Sequence, residues 1–492
     1  MKQRIKRFLC CCLAACLLFT MTAYARPDWP ADTGIQAEAG IVIDADSGAV
    51  LFAQNSHVAY PPASITKLLT ALIVLEHCQL DETVTYSYEA MHNVEADSGN
   101  KLSLQVDDQM TVEDSLYALL LVSVNQSANA LAEHTAGSIS AFVDMMNEKA
   151  AELGCTESHF DNPSGLNGDT QYVTAYDMSL IAQAAFNNEA LLKISSARTH
   201  KIGATTNNPD GVSIQNEHRL VITDDTTSPF YYPPAIAGKT GYLVAAGNTL
   251  VTYAEQDGRR LISVILKGSP RQYFVDAKTL LEFGFARFQN AEIAQYESRY
   301  VTGDGPIELD GVIFKSSDLM VEPGRMITLP NSAVFDDAEI SLGPLPETHP
   351  ANAVALLTYT YNDRKIGEAF LLAKNMPAEQ PDDKTAAPTG EEDPTAAAPE
   401  QEHSTSQATP EGSDPSAGGR LSFGSAVMIG LVLLLVAAVA GAIGWITYSR
   451  KKEAAALAAR RERRRRRLQE DGEEDEFNRL LEELKNKNNS AK

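Results

Sequence analysis

Between residues 34 and 288 the chain alternates between apolar runs of helical length and shorter apolar stretches broken by turn residues. IVIDADSGAVLFAQN (41–55) predicts a β-hairpin turning near Asp46-Ser47-Gly48, and NTLVTYAEQDGRRLISVIL (248–266) predicts another around Asp257-Gly258, since Asp-Gly between strand-like runs suits a tight turn. Ser64 to His77 and SLYALLLVSVNQSANALAEHTA (115–136) read as helices that are apolar almost all round, as helices buried in a large core are. Strands and helices together give an α/β or α+β reading. Residues 289–375 lack long helical periodicity and carry runs such as GRMITL and AVALLTYTYNDRKIGEAFLLA, which predict a second, smaller β-rich domain.

The flanks follow other patterns. Lys2, Arg4, Lys6 and Arg7 precede an apolar stretch from Phe8 to Ala23 that ends at Ala23-Tyr24-Ala25, so residues 1–25 read as a signal peptide with a small-x-small cleavage site. A lipoprotein signal ending at Cys16 fits less well, because it shortens the apolar core to Phe8–Cys12. Residues 376–420 shift to Pro, Ala, Thr, Ser, Glu and Asp, a composition that cannot bury enough surface to fold and predicts a disordered linker. Within 421–448, Ala426 to Trp445 is uncharged and apolar, long enough for a transmembrane helix. Arg450-Lys451-Lys452 and the run Arg460 to Arg467, broken only by Glu462, follow it and predict a cytoplasmic C-terminal tail, residues 449–492.

Composition narrows the function. At 492 residues the chain exceeds what one core organises, and a formal charge of −24 excludes nucleic acid as the expected partner. Four of the six cysteines lie in the signal segment, leaving Cys78 and Cys155, either paired or as buried thiols. No HExxH motif, Cys/His cluster or phosphate-cradling glycine loop appears, so neither metal nor cofactor is expected.

Chemistry gathers at three places. Pro61-Pro62-Ala63-Ser64-Ile65-Thr66-Lys67 sets a serine at the start of a buried helix and a lysine one turn later on the same face, where desolvation lowers the amine's pKa toward that of a proton acceptor. Ser-x-x-Lys also occurs at Ser98–Lys101 and Ser449–Lys452, in polar segments with no sign of a site. Ser123-Val124-Asn125 offers a hydroxyl that relays a proton and an amide that holds a carbonyl, although Ser127-Ala128-Asn129 shows how readily the pattern arises. Lys239-Thr240-Gly241, ahead of the Asp257-Gly258 hairpin, offers a cation and a hydroxyl for a carboxylate, with a glycine that admits a substrate backbone.

In content and order these elements resemble those of β-lactamases and penicillin-binding proteins. PPASITKLLTAL, VSVNQSANALAEH, FDNPSGLNGDTQYVTAYDMSLIAQ and AGKTGYLVAAGNTLV, spread over about residues 34–288, resemble segments of the D-alanyl-D-alanine carboxypeptidases. The resemblance implies an α+β fold with an antiparallel sheet flanked by helices, followed by a small β-rich domain and a transmembrane helix. It also implies that Ser64 forms an acyl-enzyme, Lys67 accepts its proton, Ser123 completes the relay and Asn125 orients substrate. Lys239 and Thr240 then bind the terminal carboxylate, and the N–H groups of Ser64 and Tyr242 form the oxyanion hole. Many relatives carry histidine after Lys-Thr-Gly, where this chain has Tyr242. Arg271 is a further candidate for neutralising the carboxylate. Expected partners are peptidoglycan stem peptides, β-lactams as inhibitors, and the membrane. A D,D-endopeptidase, a tethered β-lactamase and a silent wall-binding module remain alternatives. Asn162-Pro163-Ser164-Gly165-Leu166, as in carboxypeptidases, stands in the region after the Ser-x-Asn helix, and no glutamate is assignable to penicilloyl hydrolysis.

Overall fold

Two apolar hairpins with no polar face need cover on both sides, and the fold supplies it. In a computed structural model, which describes residues 26–94, 98–309 and 312–374, both predicted hairpins enter one five-stranded antiparallel sheet. Its strands are β1 (Ala39–Asp44), β2 (Val50–Gln54), β3 (Ala235–Leu243), β4 (Gly247–Gln256) and β5 (Arg259–Gly268), in the order β2-β1-β5-β4-β3. Side chains alternate across the sheet: Ile41, Ile43, Tyr253, Ile262 and Val264 join the larger helical core, while Val42, Ala254, Leu261 and Ile265 pack with Phe274, Leu280 and Leu281 on the other side. The β4–β5 turn uses Asp257 and Gly258 at φ 51° and 77°, the positive pair that a two-residue hairpin loop requires.

The larger core contains helices α1 (Lys67–His77), α2 (Val112–Leu121), α3 (Asn125–Ala136) and α4 (Ala175–Asn187); α5 (Gln272–Arg287) covers the opposite face. Two expectations are corrected here. Residues 115–136 form two helices rather than one, broken at Val122–Val124, where Ser123 takes φ 62°. Both pieces are buried nearly all round, so the apolar pattern runs through the break without marking it, although the two flanking valines are weak helix formers. Ser64 lies in a 3₁₀ turn, Ala63–Thr66, and the α-helix begins only at Lys67.

Beyond α5 the described chain is mainly β-strand, in line with its short alternating runs. Phe288–Glu292 pairs with Met326–Pro330, and Leu319–Val321, Arg364–Ala373, Ala353–Tyr361 and Glu339–Gly343 form a four-stranded antiparallel sheet in that order. Strict burial alternation along 353–361 gives it one packed face, built on Leu357, Tyr359 and Tyr361. The Ser47 and Thr328 hydroxyls, 2.7 Å apart, tie this region to the β1–β2 turn. Cys78 and Cys155 are separate buried thiols. The signal segment, the linker, the apolar span and the tail lie outside the described residues, among which no helix is long and apolar enough to cross a membrane.

Candidate active site

Ser64 is held by close backbone packing. Thr249 Oγ1 of β4 donates to the Pro62 carbonyl at 2.9 Å, fixing the turn against the sheet. A Cβ on Gly165 (φ 80°) would stand 1.9 Å from the Ala63 carbonyl oxygen, and one on Gly241 would stand 2.8 Å from the Ser64 nitrogen. Glycine is therefore required where the 162–166 loop and the edge strand β3 press on the serine turn from two sides.

Lys67 is fully buried. Its Nζ lies 2.9 Å from Ser64 Oγ, 2.8 Å from Asn125 Oδ1 and 2.5 Å from the Ser164 carbonyl oxygen. Burial, then repulsion from Lys239 and Lys101, holds its pKa well below the usual lysine value. A neutral amine has two N–H bonds and one lone pair. Asn125 Oδ1 and Ser164 O can only accept, so they take both N–H groups and the lone pair is left facing the Ser64 hydroxyl. The three neighbours would equally accept from a charged ammonium; it is burial that favours the neutral form, and in that form the lone pair faces Ser64.

Ser123 sits at the break between α2 and α3, its Oγ buried with no hydrogen-bond partner among the described residues. Asn125 opens α3 from the same break. Lys239 on β3 is buried, with Nζ donating to the Thr240 carbonyl at 2.9 Å. Burial brings its pKa down to about 7; Glu217 opposes that shift and Lys101 adds to it. Gly241 is buried, Thr240 is half-buried, and the Tyr242 side chain is 64% exposed. Arg271 is exposed at the start of α5, its guanidinium 5.7 Å from the Phe230 ring centre, and its recorded contact is with that ring rather than with the Ser64 group.

Two features escaped sequence reading. The Ser164 carbonyl is a backbone group, and only the Asn162-Pro163-Ser164-Gly165 segment as a whole hinted at it. Lys101, dismissed with its polar Ser-x-x-Lys, donates to the Val122 carbonyl at 2.7 Å and to Glu217 Oε1 at 2.8 Å, bracing the residue before Ser123. The look-alike Ser127 and Asn129 are structural: Ser127 Oγ meets the Tyr86 hydroxyl at 2.8 Å, and Asn129 Nδ2 donates to the Asn93 carbonyl at 2.8 Å.

A serine hydroxyl 2.9 Å from a buried lysine amine, with a second lysine buried on the neighbouring sheet edge, is the arrangement expected of a serine acyltransferase of the penicillin-binding type. Residues 25–269 match the family model described as D-alanyl-D-alanine carboxypeptidase, peptidase S11. The D-alanyl-D-alanine carboxypeptidase DacB2 of Mycobacterium tuberculosis is 35% identical over 273 residues, covering 54% of this chain and 86% of its own. Escherichia coli DacC, of the same description, is 30% identical over 294 residues, covering 58% and 70%. The crystal structure of penicillin binding protein 5 from Haemophilus influenzae superposes with a TM-score of 0.55 at 25% identity, covering 70% of this chain and 98% of that one. The chain belongs to the D-alanyl-D-alanine carboxypeptidase family. It is a serine-type D-Ala-D-Ala carboxypeptidase with the penicillin-binding, transpeptidase-like fold.

Proposed function

We propose that Ser64 attacks the penultimate D-alanine carbonyl of a peptidoglycan stem pentapeptide, with Lys67 as its base. The observation that carries this is the fully buried Lys67 amine 2.9 Å from Ser64 Oγ, which burial favours as neutral and whose two other neighbours are acceptors only. The Ser64 proton passes to Lys67 Nζ as the Oγ–C bond forms, and the oxyanion is held by the N–H groups of Ser64 and Tyr242. The proton then reaches the departing amine through Ser123 Oγ, and free D-alanine leaves. Water attacks the ester with Lys67 again taking a proton, which returns to Ser64 as the shortened peptide departs. Lys239 and the Thr240 hydroxyl grip the terminal carboxylate, while Asn125 orients the peptide and positions Lys67. A β-lactam, carrying a carboxylate beside a strained amide, acylates the same serine and blocks the site.

We read residues 1–25 as an export signal, 34–288 as the catalytic domain and 289–375 as a β-rich domain, joined through a linker at 376–420 to a single membrane span at 421–448. This reading places the catalytic domain outside the bacterial cell membrane and residues 449–492 in the cytoplasm. The supports are the charge flanking the two apolar stretches and the likeness to penicillin binding proteins.

Purified full chain is expected to take up one labelled penicillin per molecule and to release D-alanine from a stem pentapeptide, with both lost in Ser64→Ala. Label that appears and is quickly released as hydrolysed penicillin would make the protein a β-lactamase; equal labelling of Ser64→Ala would place the nucleophile elsewhere.

Burial lowers the pKa of both lysines, and the Lys101–Glu217 pair adjusts it. Glu217 raises and Lys101 lowers the pKa of both buried lysines. The base works when Lys67 is neutral and the carboxylate grip when Lys239 is charged, so activity is expected to follow a bell. Glu217→Gln is expected to move both limbs to lower pH, and Lys101→Met to move both to higher pH. Profiles of kcat/KM for the two variants check this; limbs that stay in place, or move together in both variants, would remove the pair from the site's electrostatics.

A further inference from the structure

We propose that Cys78, Glu82 and His134 form a binding site for one divalent ion of the zinc class, at the ends of α1 and α3 remote from Lys67 and Asn125. Cys78 caps the C-terminus of α1, and His134 lies in the last turn of α3. Their starts carry Lys67 and Asn125, so the three donors fasten the opposite ends of the helices that bring base and amide together. No local motif announces the site, because its cysteine and histidine are far apart in sequence and meet only through helix packing.

The donor atoms lie within 4.8 Å of one another. His134 Nε2 and Glu82 Oε2 are 2.8 Å apart. Around zinc, with bonds of about 2.0 Å to nitrogen or oxygen and 2.3 Å to sulfur, tetrahedral donors stand roughly 3.3–3.5 Å apart. The His134–Glu82 separation lies just below that range, and none of the three separations exceeds 4.8 Å. On binding, the ion replaces the hydrogen bond between His134 Nε2 and Glu82 Oε2, the imidazole keeping its hydrogen on Nδ1, and the Cys78 thiol gives its proton to solvent. A thiolate and a carboxylate cancel its two charges and the imidazole stays neutral, so the half-buried cluster gains no net charge.

The surroundings already orient the donors. The Gln79 N–H donates to Glu82 Oε1 at 2.7 Å, leaving Oε2 to face the ion, and Cys78 Sγ rests 3.4 Å from Thr135 Oγ1. Cys78 is 9% exposed and the Glu82 and His134 side chains are 41% and 23% exposed, giving the ion a way in from solvent. A thiolate with an imidazole selects zinc-like ions over calcium or magnesium, and three protein donors leave the fourth position to water.

The test uses full chain stripped with a chelator and titrated with Co²⁺ alone. The expected result is one Co²⁺ bound with thiolate-to-cobalt charge-transfer absorption, displaced by one equivalent of Zn²⁺, and a melting temperature that Zn²⁺ raises. Cys78→Ser is expected to abolish the band, and His134→Gln and Glu82→Gln to weaken binding roughly tenfold or more. Every other cysteine remains in Cys78→Ser, so a band that persists there belongs to another thiol and overturns the proposal, as does the absence of a band in wild type. Should Cys78→Ser fail to fold, the other two variants keep the thiol. Unchanged cobalt binding in both, with metal-free melting like that of wild type, overturns the proposal equally.

Discussion

Lys67→Met is expected to slow acylation of Ser64 by a labelled penicillin by about 10²–10⁴-fold, the range that general-base catalysis contributes. Methionine is unbranched and one heavy atom shorter than lysine, so it fills the space of the buried stem and the packing of α1 survives. What disappears is the lone pair 2.9 Å from Ser64 Oγ. Asn125 Oδ1 and the Ser164 carbonyl also lose their donor, a cost of about 1–3 kcal/mol for each buried acceptor left unpaired. Against that stands the relief of no longer burying an amine, so the melting temperature is expected to change far less than the rate. Acylation at the wild-type rate in a folded variant would show that another group takes the Ser64 proton.

Gly241→Ala is expected to lower the acylation rate by about 10²–10³-fold, as loss of one oxyanion donor does. The new methyl would stand 2.8 Å from the Ser64 nitrogen and 2.4 Å from Thr249 Oγ1, distances at which something must shift. Thr249 is anchored to Pro62 and β3 is paired with β4 along its length, so the serine turn yields. That movement displaces the Ser64 N–H from the position where the oxyanion forms. Gly305→Ala is the control, because a Cβ there meets nothing within 4 Å and its activity should equal wild type. If Gly241→Ala acylates like the control, the Ser64 N–H is not an oxyanion donor.

What could be read along the chain followed from how local each signal is. The hairpins at 39–54 and 247–268 were legible because strand runs and turn residues adjoin in sequence. The break at Ser123 was not, since burial of α2 and α3 nearly all round hides any change of face, yet α3, which opens from that break, begins with the asparagine that meets Lys67. Ser64, Lys67 and Asn125 were legible as types at fixed spacing, and the structure brings them within hydrogen-bond reach. The Ser164 carbonyl was hidden because backbone groups carry no sequence signature, and Lys101 because its value lies in a partner far along the chain. Position after a strand says nothing of what surrounds Arg271, and the Phe230 ring 5.7 Å from its guanidinium is 41 residues away in sequence.

Lys239 has a consequence for substrate capture. With its pKa near 7, the buried amine is only partly protonated in neutral solution. In the role proposed for it, a carboxylate arriving beside Lys239 would favour the charged form, so the peptide would draw a proton from the medium as it docks. Binding is then a three-body event of enzyme, peptide and hydrogen ion. Buffers of different ionisation enthalpy would give different apparent heats for the same complex, and the enzyme's hold on its substrate tracks the acidity of the compartment as well as the supply of peptide.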